Sequence, residues 1–310
     1  MKVISRTKKN DIATVYIARN EENKFIEFVE STQPPLTYRE KWVLILSTLY
    51  GCPVDCKFCD AGGNYNGRLS YDDLKFQIDY LVRQRFDGGF IDTKKFKIQF
   101  ARMGEPSFNT NVLKLLEDIP EIYNYNYFIP SLSTIAPCGT DLFFEELLRI
   151  KKTLYRDTFQ LQFSLHTSDE NQRDKIIPVK KWSFEKIAEY AERFYDEDGK
   201  KITLNFALSL NAIFDPQKLL EFFSPNKFLI KITPLNPTYK AAMNEMHSLI
   251  TEDDYHLDLV RSVEDVGYQT ILSIGEWEEN KIGSNCGQYV NSLKKDCSIA
   301  DAYEYELTGF

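Results

Sequence analysis

The strongest constraint on this chain is a recurring order: a β-rich apolar run, a short polar segment, then a helical stretch. Strand-like runs fall at Trp42 to Leu49, Lys97 to Met103, Phe128 to Ile135, Thr158 to His166, Ile202 to Leu210, Phe228 to Leu235 and Gln269 to Ile274. Helical stretches lie between them. Ser70 with Asp73 makes a capping box for a helix to about Arg85, and Ser183 caps one ending near Gly199. Others run from Asn109 to Asp118, Asp141 to Lys152 and Pro216 to Phe223, and from Thr251 to Val266 behind an acidic first turn. Strands alternating with helices pair in parallel through right-handed crossovers. So many units predict the α/β class and a partial or full parallel (β/α) barrel. In a barrel the chemistry sits at the C-terminal ends of the strands.

The first forty residues read differently. Asp11 to Arg19 and Lys24 to Val29 alternate as a hairpin around the turn Asn20-Glu21-Glu22-Asn23, and Pro34-Pro35 separates them from the rest. The expected division is therefore a β-rich extension at residues 1–40 and a barrel domain at 41–310, which suits a chain of 310 residues. Met1 to Arg6 lacks the apolar core of a signal peptide, and no apolar run approaches a bilayer's width. Six cysteines without a paired pattern suit a reducing compartment. The expectation is a cytoplasmic protein with no membrane partner. A net charge of −8 argues against a protein that coats nucleic acid, while leaving room for a local basic patch.

Polar and reactive residues follow the strands. The densest group is Cys52, Cys56 and Cys59, spaced C-x3-C-x2-C directly after the first strand. Three such thiolates can ligate three irons of a [4Fe–4S] cube and leave the fourth open to a chelating cofactor. A zinc site would want four ligands in two separated pairs. Cys138, Cys286 and Cys297 are too scattered to supply the second pair.

The cysteine spacing and the aromatic Phe58 before the third cysteine resemble the radical S-adenosylmethionine (SAM) superfamily. Further pieces, in order, are similar to one branch of it, the RlmN and Cfr group of RNA adenine methyltransferases. They are Val15-Tyr16-Ile17, Met103-Gly104-Glu105-Pro106, Leu132-Ser133-Thr134, and Ser164-Leu165-His166 with Asn171, Arg173-Asp174 and Ile177-Pro178. Pro234-Leu235-Asn236-Pro237 and Cys286-Gly287-Gln288 complete the set, which spans about residues 12 to 290. The resemblance implies a [4Fe–4S] cluster whose open iron binds SAM. Gly104 would leave room for a ligand to approach the backbone, and Glu105 would accept from the SAM ammonium. Ser133, Ser164, His166 and Asn236 would line the remaining SAM contacts. Cys286 would carry a methyl group, for which a nucleophilic thiolate is suited.

The chain departs from the group in three ways. Family members carry a second catalytic cysteine seven residues before the cluster motif, where this chain has Ile45. Cys138, which follows Ser133-Thr134, is the substitute this reading favours, with Cys297 behind it. The family's N-terminal helical domain has no counterpart, since the residues before Trp42 read as β. Arg102 stands where the family has glycine, and is suited to a bidentate phosphate or carboxylate contact. The expected function is a radical SAM methyltransferase using a methylated cysteine and acting on an RNA adenine (ribosomal or transfer RNA) or a related nucleotide. Its reductant would be a flavodoxin or ferredoxin. The alternative is direct hydrogen abstraction from a small molecule or peptide, without RNA.

Overall fold

A computed structural model describes residues 1–9, 12–32, 34–275, 282, 289–292 and 308–309. Its centre is one sheet. Strands β1 (Lys2–Lys9), β2 (Ala13–Arg19) and β3 (Phe25–Ser31) pair antiparallel, and β3 pairs antiparallel with β4 (Trp42–Leu46). After α1 (Tyr71–Arg85) comes a short strand β5 (Phe90–Ile91), then β6 (Phe96–Phe100), which joins β4 in parallel. The pattern continues through α2 (Asn111–Ile122), the short β7 (Asn124–Tyr125), β8 (Phe128–Thr134), α3 (Asp141–Ile150) and β9 (Gln160–Ser164). Next come α4 (Glu170–Ile176), α5 (Phe184–Phe194), β10 (Ile202–Leu208), α6 (Pro216–Leu220) and β11 (Phe228–Pro234). Then come α7 (Tyr239–Met243), α8 (Leu257–Asp265) and β12 (Gln269–Leu272), followed by a helical turn, Tyr289–Ser292, and a two-residue strand, Thr308–Gly309, that pairs antiparallel with β1.

Strands β4, β6, β8, β9, β10, β11 and β12 stand side by side in that order, all parallel. This is the expected α/β barrel. Among the described residues it is partial, because β12 ends the sheet on one side and the antiparallel β3, β2 and β1 continue it on the other. The hairpin is thus an extension of the barrel sheet itself.

Strand alternation sorts the two faces. In β6 the side chains of Phe96, Ile98 and Phe100 are fully buried against the helices, and Lys97 and Gln99 point the other way. Leu132, Phe163, Leu204, Phe206, Ile230 and Ile232 repeat the outward apolar row and form one core with Leu74, Ile78, Leu115 and Ile187 of the helices. Each such side chain contributes roughly 1.5–3 kcal/mol by leaving water. The capping serines behave as expected. Ser70 accepts from the Asp73 amide at 3.1 Å and Ser183 from the Lys186 amide at 3.2 Å.

Several elements differ from the sequence reading. β1 was not expected, because its charged residues hide an alternation in which Val3, Ser5 and Thr7 are buried. The hairpin is therefore a three-stranded meander. α4 is a further helix, whose cap Asp169 accepts from the Gln172 amide at 2.7 Å. The last long helix begins at Leu257, not Thr251. Thr251 instead closes a turn with Asp254, and His256 adopts a left-handed conformation before the helix starts. Among the described residues, no helix is long and apolar enough to cross a membrane.

Candidate active site

Where the strands end, the curled sheet encloses a cavity of about 390 Å³. Cys52, Cys56 and Cys59 form one side of it. Gly104, Glu105, Ser133, Ser164, His166 and Asn236 line it from the ends of successive strands. Residues separated by up to 184 positions thus meet at one place. Cys138 does not join them. It lies exposed on the turn after β8, its amide donating to the Lys180 carbonyl at 2.9 Å, and it is absent from the cavity wall. Among the described residues, the cavity wall is therefore built without the thiol expected to stand in for the missing second cysteine. Ile45 lines the cavity, paired in the sheet between Val29 and Gln99. Cys286 and Cys297 lie outside the described residues.

Tight turns fold the cysteine loop. The Cys59 amide donates to the Cys56 carbonyl at 3.2 Å, the Gly62 amide to Cys59 at 3.1 Å and the Gly63 amide to Cys52 at 3.2 Å. Gly51 opens the loop at φ +78°, where a Cβ would meet the Asn64 carbonyl oxygen at 2.1 Å. The segment after Asn236 clasps the loop from outside. Thr238 donates its hydroxyl to the Phe58 carbonyl at 2.6 Å, and the Tyr239 and Lys240 amides donate to the Asp60 carboxylate at 3.0 and 2.9 Å. Asn244 donates to the Lys57 carbonyl at 2.9 Å. These bonds set the loop's orientation before any ligand arrives.

Burial pushes the Cys52 thiol up to about 11, and it raises Cys56 further, with the charges of Cys52 and Glu105 adding to the effect. Thiolates here are disfavoured until a cation shares the cavity, the behaviour of ligands whose deprotonation is coupled to metal binding. Among the described residues, no three His, Cys, Asp or Glu side chains are gathered as a cage for a single ion. Thiolates that each hold a different iron of a cube stand farther apart than ligands around one ion. Three soft sulfur donors on one wall of a roomy cavity fit a cluster of the [4Fe–4S] kind.

Glu105 is 5% exposed. Its Oε1 accepts from Thr134 Oγ1 at 2.6 Å, Ser107 Oγ at 2.8 Å and the Ser107 amide at 3.1 Å, and its Oε2 from the Ile135 amide at 2.9 Å. Burial raises its pKa while these bonds pull it down. The carboxylate therefore latches the end of β6 to that of β8, and Oε2 keeps acceptor capacity toward the cavity. Gly104 has φ +98°, and a Cβ there would stand 2.5 Å from Leu49 Cβ. Leu49 packs into the space that the missing side chain leaves, and Gly104 also lines the cavity.

His166 has φ +65° and accepts the Ala207 amide at Nδ1, 3.0 Å away. Burial, helped by nearby Arg173, lowers its pKa to about 3. The imidazole is neutral, with its proton on Nε2, so it is a fixed donor held against the edge of Phe58. Arg173 points into the protein. It is buried and donates to the carbonyls of Trp182 at 2.7 Å and Ile135 at 2.9 Å, while Asp174 pairs with Lys181 at 2.5 Å.

The floor of the cavity was not foreseen. Gln99, Gln162, Asn205, Lys231 and Thr233 line it. The signal was present in strands reading F-K-I-Q-F, Q-L-Q-F-S and T-L-N-F, where polar residues alternate with apolar ones. Arg102 also lines the cavity, but the carboxylate it holds is internal: Nη2 donates to Glu27 Oε2 of β3 at 2.5 Å.

No family model matches the chain. It is 27% identical over 247 residues to a probable dual-specificity RNA methyltransferase RlmN of Carboxydothermus hydrogenoformans, covering 77% of this chain and 67% of that protein. A protein of the same name from Corynebacterium efficiens is 26% identical over 220 residues, covering 66% of this chain and 56% of that one. The chain thus spans about two thirds or less of the length of these curated relatives. A solved radical SAM methyltransferase from Sphaerobacter thermophilus shares the fold at a TM-score of 0.69 and 17% identity, over 93% of this chain and 80% of that one. The chain is thus similar in sequence to proteins named RlmN, and similar in fold to a solved radical SAM methyltransferase.

Proposed function

We propose that this chain is a radical SAM RNA methyltransferase that modifies an adenine base and carries the methyl group on Cys286. The observation that carries the reading is the convergence of Cys52, Cys56, Cys59, Glu105, Ser133, Ser164, His166 and Asn236 on one cavity at the strand ends. Cys52, Cys56 and Cys59 would hold a [4Fe–4S] cluster. Bound there, the cluster and SAM would supply one-electron chemistry that activates an otherwise inert methyl group.

The chain's own residues then have separable tasks. Glu105 offers Oε2 to an ammonium while its other oxygen stays tied to Ser107 and Thr134. His166 offers Nε2–H to an acceptor and does not compete for protons at neutral pH. Ser133, Ser164 and Asn236 supply hydroxyl and amide contacts along the strand ends. The apolar Phe58 and Ile135 bound the same space and limit water around a reactive species. Cys286 has its carrier role from the resemblance. The relatives' name, RNA methyltransferase, favours RNA over a small molecule or peptide.

The test is anaerobic incubation of reconstituted protein with SAM, reductant, and ribosomal or transfer RNA, with nucleosides read by mass spectrometry. Methyladenosine above an enzyme-free control is expected. SAM cleavage at full rate with no methylated nucleoside in either RNA would overturn the substrate assignment.

A further inference from the structure

Glu27 lies in the middle of β3, in a hairpin that the cysteine cavity does not obviously require, yet its side chain is fully buried. A carboxylate so placed must find partners, and its two oxygens serve different parts of the chain. Oε2 accepts from Arg102 Nη2 at 2.5 Å, and the Arg102 side chain is 1% exposed. Oε1 accepts the backbone amide of Val290. The backbone carbonyl of Glu27 accepts the Ser47 hydroxyl, and Ser47 Oγ in turn accepts the Met103 amide at 3.2 Å. One residue of the hairpin is therefore bonded to the end of β4, to the residues before Gly104-Glu105, and to the C-terminal helical turn Tyr289–Ser292.

Val290 follows Cys286 by four residues and Ile282 precedes it by four. Ile282, Tyr289 and Val290 are buried in one apolar cluster with Cys52, Val54, Phe58 and Met103, and with Val15, Ile17 and Val29 of the hairpin. Ile282 and the turn at Tyr289 and Val290 are thus anchored on the wall built by the cysteine loop and the hairpin. Apolar packing is non-directional; a charge-assisted bond to one backbone amide sets register.

We propose that Glu27, held in place by Arg102, is a positioning residue that fixes the turn Tyr289–Ser292, which begins three residues after Cys286 in the sequence, against the wall of the cavity. The inference rests on the reading of Cys286 as carrier for its catalytic consequence, but not for its structural content. A buried ion pair adds little stability over an apolar pair of similar size. Its use here is to fix one arrangement of the chain.

The test compares the wild type with Glu27→Gln and with the double variant Glu27→Leu/Arg102→Met, which removes both charges and keeps an apolar filling should Glu27→Gln fail to fold. Amide exchange of the 282–292 peptide is read first, on protein never exposed to SAM. Loss of a charge-assisted bond should speed exchange there by about tenfold or more in the folded double variant, with α1 and β8 unchanged. Product formation is read second. The expected result is a fall of about tenfold in kcat with KM for SAM unchanged, since the cofactor contacts are separate residues. Unchanged exchange at 282–292 would overturn the inference. Faster exchange in a protein whose wild type never carries a methyl group on Cys286 would support the positioning and refute the carrier reading instead.

Discussion

Thr238 and Phe58 are 180 residues apart in the chain, and the Thr238 hydroxyl donates to the Phe58 carbonyl at 2.6 Å. The same oxygen accepts the Ala241 amide at 2.9 Å, so one side chain both caps α7 and holds the cysteine loop. The segment that presents Asn236 to the cavity is thereby tied to the residues between Cys56 and Cys59.

Thr238→Ala removes both bonds from a fully buried site and should cost about 1–3 kcal/mol. Thermal melting of the iron-free protein reads that loss, and Thr238→Ser should recover most of it. A variant melting with the wild type would show that Asp60 and Asn244 alone hold the clasp.

Alanine at Cys52, Cys56 and Cys59 together should abolish the brown colour and reduce bound iron to background after anaerobic reconstitution. Cys138→Ala should keep both, because Cys138 is exposed and outside the cavity. Iron content and visible absorbance decide it; a full complement of iron in the triple variant would remove the cluster assignment.

His166 gives a pH dependence whose sign follows from its depressed pKa. Between the unfolded value of 6.5 and the folded value of about 3, the unfolded chain binds a proton that the folded chain refuses. Its contribution is complete above pH 6.5 and is lost as pH falls toward 3, by about 1.4 kcal/mol per unit inside that window. Urea melts of the iron-free protein from pH 7 to 4.5 should show a smaller slope for His166→Gln than for the wild type. Equal slopes would mean that the imidazole is not buried neutral.

Ile45 puts an alkyl group on the cavity wall where the RlmN and Cfr group has a thiol. If product leaves through a covalent protein–RNA adduct, that adduct should accumulate in the wild type and decline in Ile45→Cys. Cys286→Ala should form none while still cleaving SAM. Denaturing gels and peptide mass spectrometry read all three; adduct levels indifferent to residue 45 would assign release to another group.

Much of this molecule can be read from one dimension. The alternation in Phe96–Phe100 and its sister strands, the caps at Ser70 and Ser183, and the cysteine spacing follow from local periodicity and short-range hydrogen bonding. These set the strands, their order, and the prediction that polar residues gather at their ends. What the amino-acid order alone left open depends on which atoms arrive from far along the chain. Gly104 is needed because Leu49 packs against it, and Arg102 meets a carboxylate that Glu27 supplies from the hairpin. Cys138, close to the cavity in sequence, turns outward on a bend, while Gln162 and Asn205 turn inward through strand pairing. Side-chain direction in a strand is set locally to one of two faces, but only the curl of the whole sheet decides which face becomes a cavity.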